Sequence, residues 1–118
     1  KKGENYFRRI EEYLSLNYLA LENKIISLGG GGYINPKIRK QCIKNNISVW
    51  LNWKDETLIE RIKNSKKRPM VFKLNTSEIK KLISDRSKIY NLSDYKINCD
   101  RLNKNQIVKK IIKLYENS

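Results

Sequence analysis

Four glycines in succession, Gly29 to Gly32, close the short β-branched run Lys24–Leu28. Consecutive glycines let backbone N–H groups approach a ligand with no Cβ in the way, and such a bend can cradle an anion. The residues alone equally admit a flexible turn. Arg86 is the sharper signal. With Ile79 at zero on a helical wheel, Leu82, Ile83 and Tyr90 fall within about 60° of it, and Arg86 falls in their midst. A guanidinium keeps its proton, so burying it on an apolar face demands an anion. That anion is either an internal carboxylate or a ligand carboxylate or phosphate gripped by the fork, unless the side chain snorkels out at the stripe's edge. Arg8 and Glu11, three residues apart, pose the same choice. Glu11 could hold Arg8 in one rotamer with an edge free for an anion; an ordinary surface ion pair explains the spacing too, and on the residues alone it is favoured. Lys66, Lys67 and Arg68, followed by Pro69, read either as a solvated charge run or as a basic lid of the kind phosphoryl transfer needs, with Arg61 flanking it.

What is lacking narrows the chemistry. The 118 residues include no histidine, which removes Ser-His and Cys-His mechanisms and every His-ligated metal site. Neither Gly-Lys-Ser/Thr nor GxGxxG occurs, so these residues hold no P-loop and no dinucleotide fingerprint. Cys42 and Cys99 lack metal spacing and read as reduced core residues. No metal ligands are assigned. Trp50 and Trp53, in or beside a strand, read as core in preference to base-stacking platforms. The formal charge is +14, from 26 Lys+Arg against 12 Asp+Glu. A nucleic-acid partner is one reading of that charge. The 19 lysines are scattered, however, and together with 14 Asn and 16 Ile they match the bias of AT-rich coding, which favours a solvated surface. Apolar runs are too short for a membrane-spanning helix. No charged-then-apolar-then-small pattern opens the chain, so no secretory signal is expected and the cytoplasm is the expected location.

These candidates need elements to carry them. Phe7, Ile10, Leu14, Tyr18 and Leu21 make an apolar stripe on a helix spanning Gly3 to Leu21. Lys24–Leu28 reads as a strand running into the glycines. Pro36 opens a helix reaching about Asn45, with Ile38, Cys42 and Ile43 on its buried side. A second strand spans Ile47 to Trp53. Asp55 is expected to cap a helix carrying Leu58, Ile59 and Ile62. Residues 63–74 read as an exposed basic lid. Asn75 with Glu78 predicts a capping box for a helix bearing Ile79, Leu82, Ile83, Arg86 and Tyr90. Tyr95 to Cys99 is a third strand. Asn103 with Gln106 opens a last helix, with Ile107, Val108, Ile111, Ile112 and Tyr115 facing inward. Strands alternating with helices imply an α/β fold, a parallel sheet with flanking helices, within a single domain over 1–118. A leading helix with no strand before it, in a chain that opens on Lys1, is expected of a piece lacking its N-terminal part.

The combination resembles shikimate kinase. The resemblance rests on Gly3-Glu4 with Phe7-Arg8-Arg9-Ile10-Glu11-Glu12, on Ser27-Leu28-Gly29-Gly30-Gly31, on Arg68-Pro69, and on Arg86 with Tyr90, all in the family's order and spacing. It implies a P-loop NTPase fold of the nucleoside-monophosphate-kinase-like type, N-terminally incomplete. The implied activity is transfer of the γ-phosphoryl of ATP to the 3-hydroxyl of shikimate, with Mg²⁺, on the route to chorismate and the aromatic amino acids. By similarity, Arg8 and Arg86 would grip the shikimate carboxylate, Glu11 would orient Arg8, and the bend Gly29, Gly30 and Gly31 would present backbone to the substrate. Arg68 would be the catalytic lid arginine reaching the phosphates, and Arg61 would lie over the adenine. The phosphate-cradling lysine, the Ser/Thr on Mg²⁺ and the family's N-terminal aspartate are not among these residues. Gly32 is a fourth glycine where the family often has a small or apolar residue. Leu102, beside Arg101, stands where the family commonly has a second adenine-side arginine. A monomer using shikimate and ATP, with no membrane or nucleic-acid partner, is expected, the piece itself being inactive and unstable. The rivals are a related small-molecule kinase, such as a gluconate kinase, and a basic nucleic-acid-binding module.

Overall fold

The computed structural model describes residues 3–64 and 75–118. The chain divides into two compact units, residues 1–48 and 49–118.

In the first unit, α1 spans Gly3–Leu19 and α2 spans Pro36–Asn45. The start of α2 is set locally. The side-chain oxygen of Asn35 accepts from the backbone N–H groups of Lys37, at 2.8 Å, and Ile38, at 3.3 Å. Pro36 takes the first helical position, where no backbone donor is needed. The amide nitrogen of Asn35 also donates to Glu12 at 2.8 Å, so the cap of α2 is tied to α1. Ile38 and Cys42, one turn apart, are buried on α2, which packs on α1. Ile43, expected on the same side, is exposed, because it lies about 100° round the helix from Cys42. The apolar stripe of α1 is likewise largely open, with Phe7 56% and Leu14 47% exposed.

The run Lys24–Leu28 is not a strand. A strand exists through a ladder partner; among the described residues this run has none, and Ile25 stands almost fully in solvent. The glycines that follow do turn. The Gly32 N–H donates to the Gly29 carbonyl at 2.9 Å, and the Asn35 N–H to the Gly32 carbonyl at 3.1 Å. Two linked turns thereby deliver the chain to the α2 cap.

In the second unit the order is β1 (Val49–Asn52), α3 (Asp55–Asn64), α4 (Thr76–Tyr90), β2 (Tyr95–Asn98) and α5 (Lys104–Glu116). The two strands pair in parallel, Val49 opposite Tyr95 through Asn52 opposite Asn98. Parallel strands need a crossover, which the helical segments between them supply. The α/β parallel expectation therefore holds, with two strands among the described residues where three were expected. Buried Ile79, Ile83, Ile97 and Cys99 form the core of this unit. Both expected capping boxes are present, Asn75 with Glu78 and Asn103 with Gln106.

Three expectations are corrected here. Asp55 is inside the first turn of α3, not its cap: the Lys54 carbonyl, one residue earlier, already accepts from Leu58 at 3.0 Å. On α5 the half-buried residues are Ile107, Ile111 and Leu114, while Val108, Ile112 and Tyr115 are exposed. The first three lie within about 60° of arc; the others sit some 100° away, outside the width that β2 covers. Trp50 and Trp53 are half-buried, not core. Of the expected lid, 63–74, Lys63 and Asn64 end α3, and the rest lies outside the described residues.

Candidate active site

The first cluster is built by one helix and one bend. Arg8 and Glu11 lie on the same face of α1, and the Arg8 Nη1 donates to Glu11 Oε1 at 2.7 Å. Glu4, a turn earlier and more exposed, approaches the Arg8 Nε at 3.5 Å. The charge-assisted bond to Glu11 is the main cause that raises the Arg8 pKa above its already high value. The bend closes against this pair. An ideal Cβ on Gly31 would fall 2.6 Å from the guanidinium carbon of Arg8, and one on Gly29 would sit 3.4 Å from Glu11 Oε2. None of the four bend glycines has a left-handed φ, so what demands glycine at 31 is close approach, not backbone strain. Gly30 is exposed on the same bend. Arg8 is thus fixed through Nη1 and Nε, and among the described residues its Nη2 meets no acceptor. A fixed guanidinium with an unengaged end is equipped to receive a carboxylate.

The second unit carries the other candidates. Arg61, exposed on α3, lays its guanidinium carbon 4.8 Å from the centre of the Trp53 ring. Arg86 is half-buried on α4, on the face that buries Ile79 and Ile83, as the helical wheel predicts. Among the described residues no carboxylate pairs with it. Arg68 lies outside the described residues.

An open recess of about 430 Å³ lies at the carboxyl ends of β1 and β2, lined by Asn52, Lys54, Asn98, Asp100, Arg101 and Leu102 among others. Its floor is cross-linked. Asn52 donates to Asn98 at 3.0 Å. The Asp100 carboxylate accepts from the Lys54 N–H at 2.6 Å and from the Thr57 hydroxyl at 2.7 Å, tying the end of β2 to the start of α3. The Thr57 bond is the first cause that holds the Asp100 carboxyl below its usual range. Burial pushes the neighbouring Cys99 thiol up, against the opposing charge of Arg61, and both cysteines are buried free thiols.

This geometry has close relatives. The shikimate kinase family model matches residues 1–116. The chain belongs to the shikimate kinase family. The chain is 35% identical over 112 residues to a shikimate kinase of Persephonella marina, covering 95% of this chain and 68% of that protein. It is 34% identical to one of Bartonella henselae, over 94% of this chain and 53% of that protein. The crystal structure of shikimate kinase from Bacteroides thetaiotaomicron superposes with a TM-score of 0.75 at 26% identity, covering 98% of this chain and 69% of that one. The chain therefore spans between about half and just over two-thirds of the length of these relatives. Shikimate kinases are ATP-dependent small-molecule kinases, so the family match favours neither the gluconate-kinase nor the nucleic-acid reading.

For a shikimate kinase the described residues divide the work unevenly. Among the described residues no group of three or more His, Cys, Asp or Glu side chains could hold a metal ion. No described helix is long and apolar enough to cross a membrane. Two contributions escape sequence reasoning. Asp100 acts on Lys54 and Thr57 more than forty residues away, and no local pattern announces such a pairing. Trp53 supports Arg61; a Trp at the end of a strand, just before a helix that carries an arginine, was the available signal.

Proposed function

We propose that the intact protein transfers the γ-phosphoryl group of ATP to the 3-hydroxyl of shikimate, on the route to chorismate and the aromatic amino acids. The shikimate oxygen forms the new P–O bond as the γ-phosphorus–oxygen bond to ADP breaks, ADP leaves with that electron pair, and the hydroxyl proton passes to solvent. Arg8 receives the shikimate carboxylate, with Glu11 orienting it; Gly29, Gly30 and Gly31 bring the backbone close. Arg86, an arginine on an apolar helix face, is a second carboxylate-binding group. Arg61 lies over the adenine, and Arg68 reaches the phosphates. Mg²⁺, when bound with the nucleotide, would supply charge neutralisation at its phosphates. The working unit is a cytoplasmic monomer that needs no nucleic acid.

The observation that supports this reading most is the Arg8–Glu11 pair beside Gly31, where an added Cβ would displace the Arg8 guanidinium. The test is ADP release by the full-length protein with shikimate or gluconate as acceptor, and identification of the product by mass and ³¹P NMR. Turnover with shikimate giving the 3-phosphate is expected. Turnover with gluconate and none with shikimate would overturn the proposal.

A further inference from the structure

We propose that Trp53 is a positioning residue for nucleotide binding: its indole face holds the Arg61 guanidinium flat, so that the cation's opposite face is offered to a purine base. The inference rests on the ATP-dependent reading above. Its geometry is local. Trp53 directly follows β1 and is half-buried, which restrains its ring. Arg61, in the second turn of the following helix, sets its guanidinium carbon over that ring, 4.8 Å from its centre. Among the described residues, Arg61 joins no ion pair and no hydrogen bond, and the Trp53 ring is the contact its guanidinium makes.

A guanidinium is planar, and its two faces are weakly hydrated compared with its N–H edge. With one face covered by indole, the flat surface left open suits another planar ring. A base stacked there meets a cation already desolvated on its far side, where cation–π attraction is stronger than at a fully wet site. The location agrees independently. Asp100, just past β2, bonds Lys54 and Thr57 at the start of α3, which places the head of the helix that carries Arg61 by the carboxyl ends of the parallel strands. Ligands of open parallel sheets collect at those ends.

The test uses the full-length protein, with ATP and shikimate varied separately. Trp53→Leu should raise KM for ATP about 2–5-fold, the size of a partly exposed cation–π contact. kcat and KM for shikimate should stay within about twofold, and the preference for ATP over CTP should shrink by the same factor as the ATP effect. Trp53→Phe keeps a smaller ring and should fall between the two; it carries the test alone should Trp53→Leu not fold. An unchanged KM for ATP, or an equal loss for ATP and CTP, overturns the proposal. Should the wild type fail to phosphorylate shikimate, the functional reading fails instead. Calorimetry with ADP and CDP then decides the stacking claim separately, since Trp53→Leu must weaken ADP more than CDP.

Discussion

Two arginines of this chain each lie over an aromatic ring and differ in what holds the guanidinium edge. Arg8 is held by its edge, through a 2.7 Å bond to Glu11, with the Phe7 ring centre 5.2 Å from its guanidinium carbon and Gly31 beside it. Arg61 is held by its face, on the Trp53 ring, with no carboxylate bonded to its N–H groups among the described residues. An edge clamp leaves N–H donors at the free end, suited to an anion. A face clamp leaves a flat cation, suited to a ring. What separates the two is the edge: Arg8 has a carboxylate bonded there, and Arg61 has none among the described residues.

The contrast can be broken most forcefully at Gly31. A Gly31→Val change drives a branched side chain into the Arg8 guanidinium, and kcat/KM for shikimate should fall about a hundredfold or more, since small misplacements of a binding group cost that much. KM for ATP should move less than about twofold. Next comes Arg8→Lys, which keeps the charge and removes the fork. Steady-state kinetics should show KM for shikimate rising roughly tenfold to a hundredfold, the worth of a charge-assisted hydrogen bond. Smaller again is Glu11→Gln, with an expected loss of about three- to tenfold in kcat/KM for shikimate; Glu4→Gln, at an exposed 3.5 Å contact, should cost less than about twofold. Equal effects from the two glutamates would remove the distinction between an orienting carboxylate and a surface pair.

The smallest effect concerns the helix that carries Arg61. Asp100 has a folded-state pKa below its unfolded value, through the Thr57 and Lys54 bonds. Its contribution to stability is therefore full above the unfolded pKa and is lost as pH falls through the folded one. Melting curves of wild type and Asp100→Asn should differ by a few degrees at pH 7 and converge as pH falls below about 4. A gap that widens in acid would reverse the sign of this linkage.

Elements governed by local chemistry were readable in the sequence. The capping boxes at Asn75 and Asn103, Pro36 at the head of α2 and the helical face of Arg86 all follow from residues a few positions apart. Lys24–Leu28 has strand composition, but a strand is a property of a pair, and composition says nothing of the partner. On α5 the apolar arc is wider than the surface it meets, so periodicity overstates what is buried. Glu11 was readable as a partner of Arg8 from spacing alone; that Gly31 closes on the pair was not, because twenty residues of chain intervene. The Asp100 bonds were silent for the same reason.

The most direct test is a calorimetric comparison of shikimate with its methyl ester, which keeps the ring and hydroxyls and loses the anion, on full-length wild type and Arg8→Ala. If the free end of Arg8 receives the carboxylate, the wild type should prefer the acid by at least about tenfold, and Arg8→Ala should lose much of that preference. Equal binding of acid and ester by the wild type, or a preference undiminished in Arg8→Ala, would contradict it.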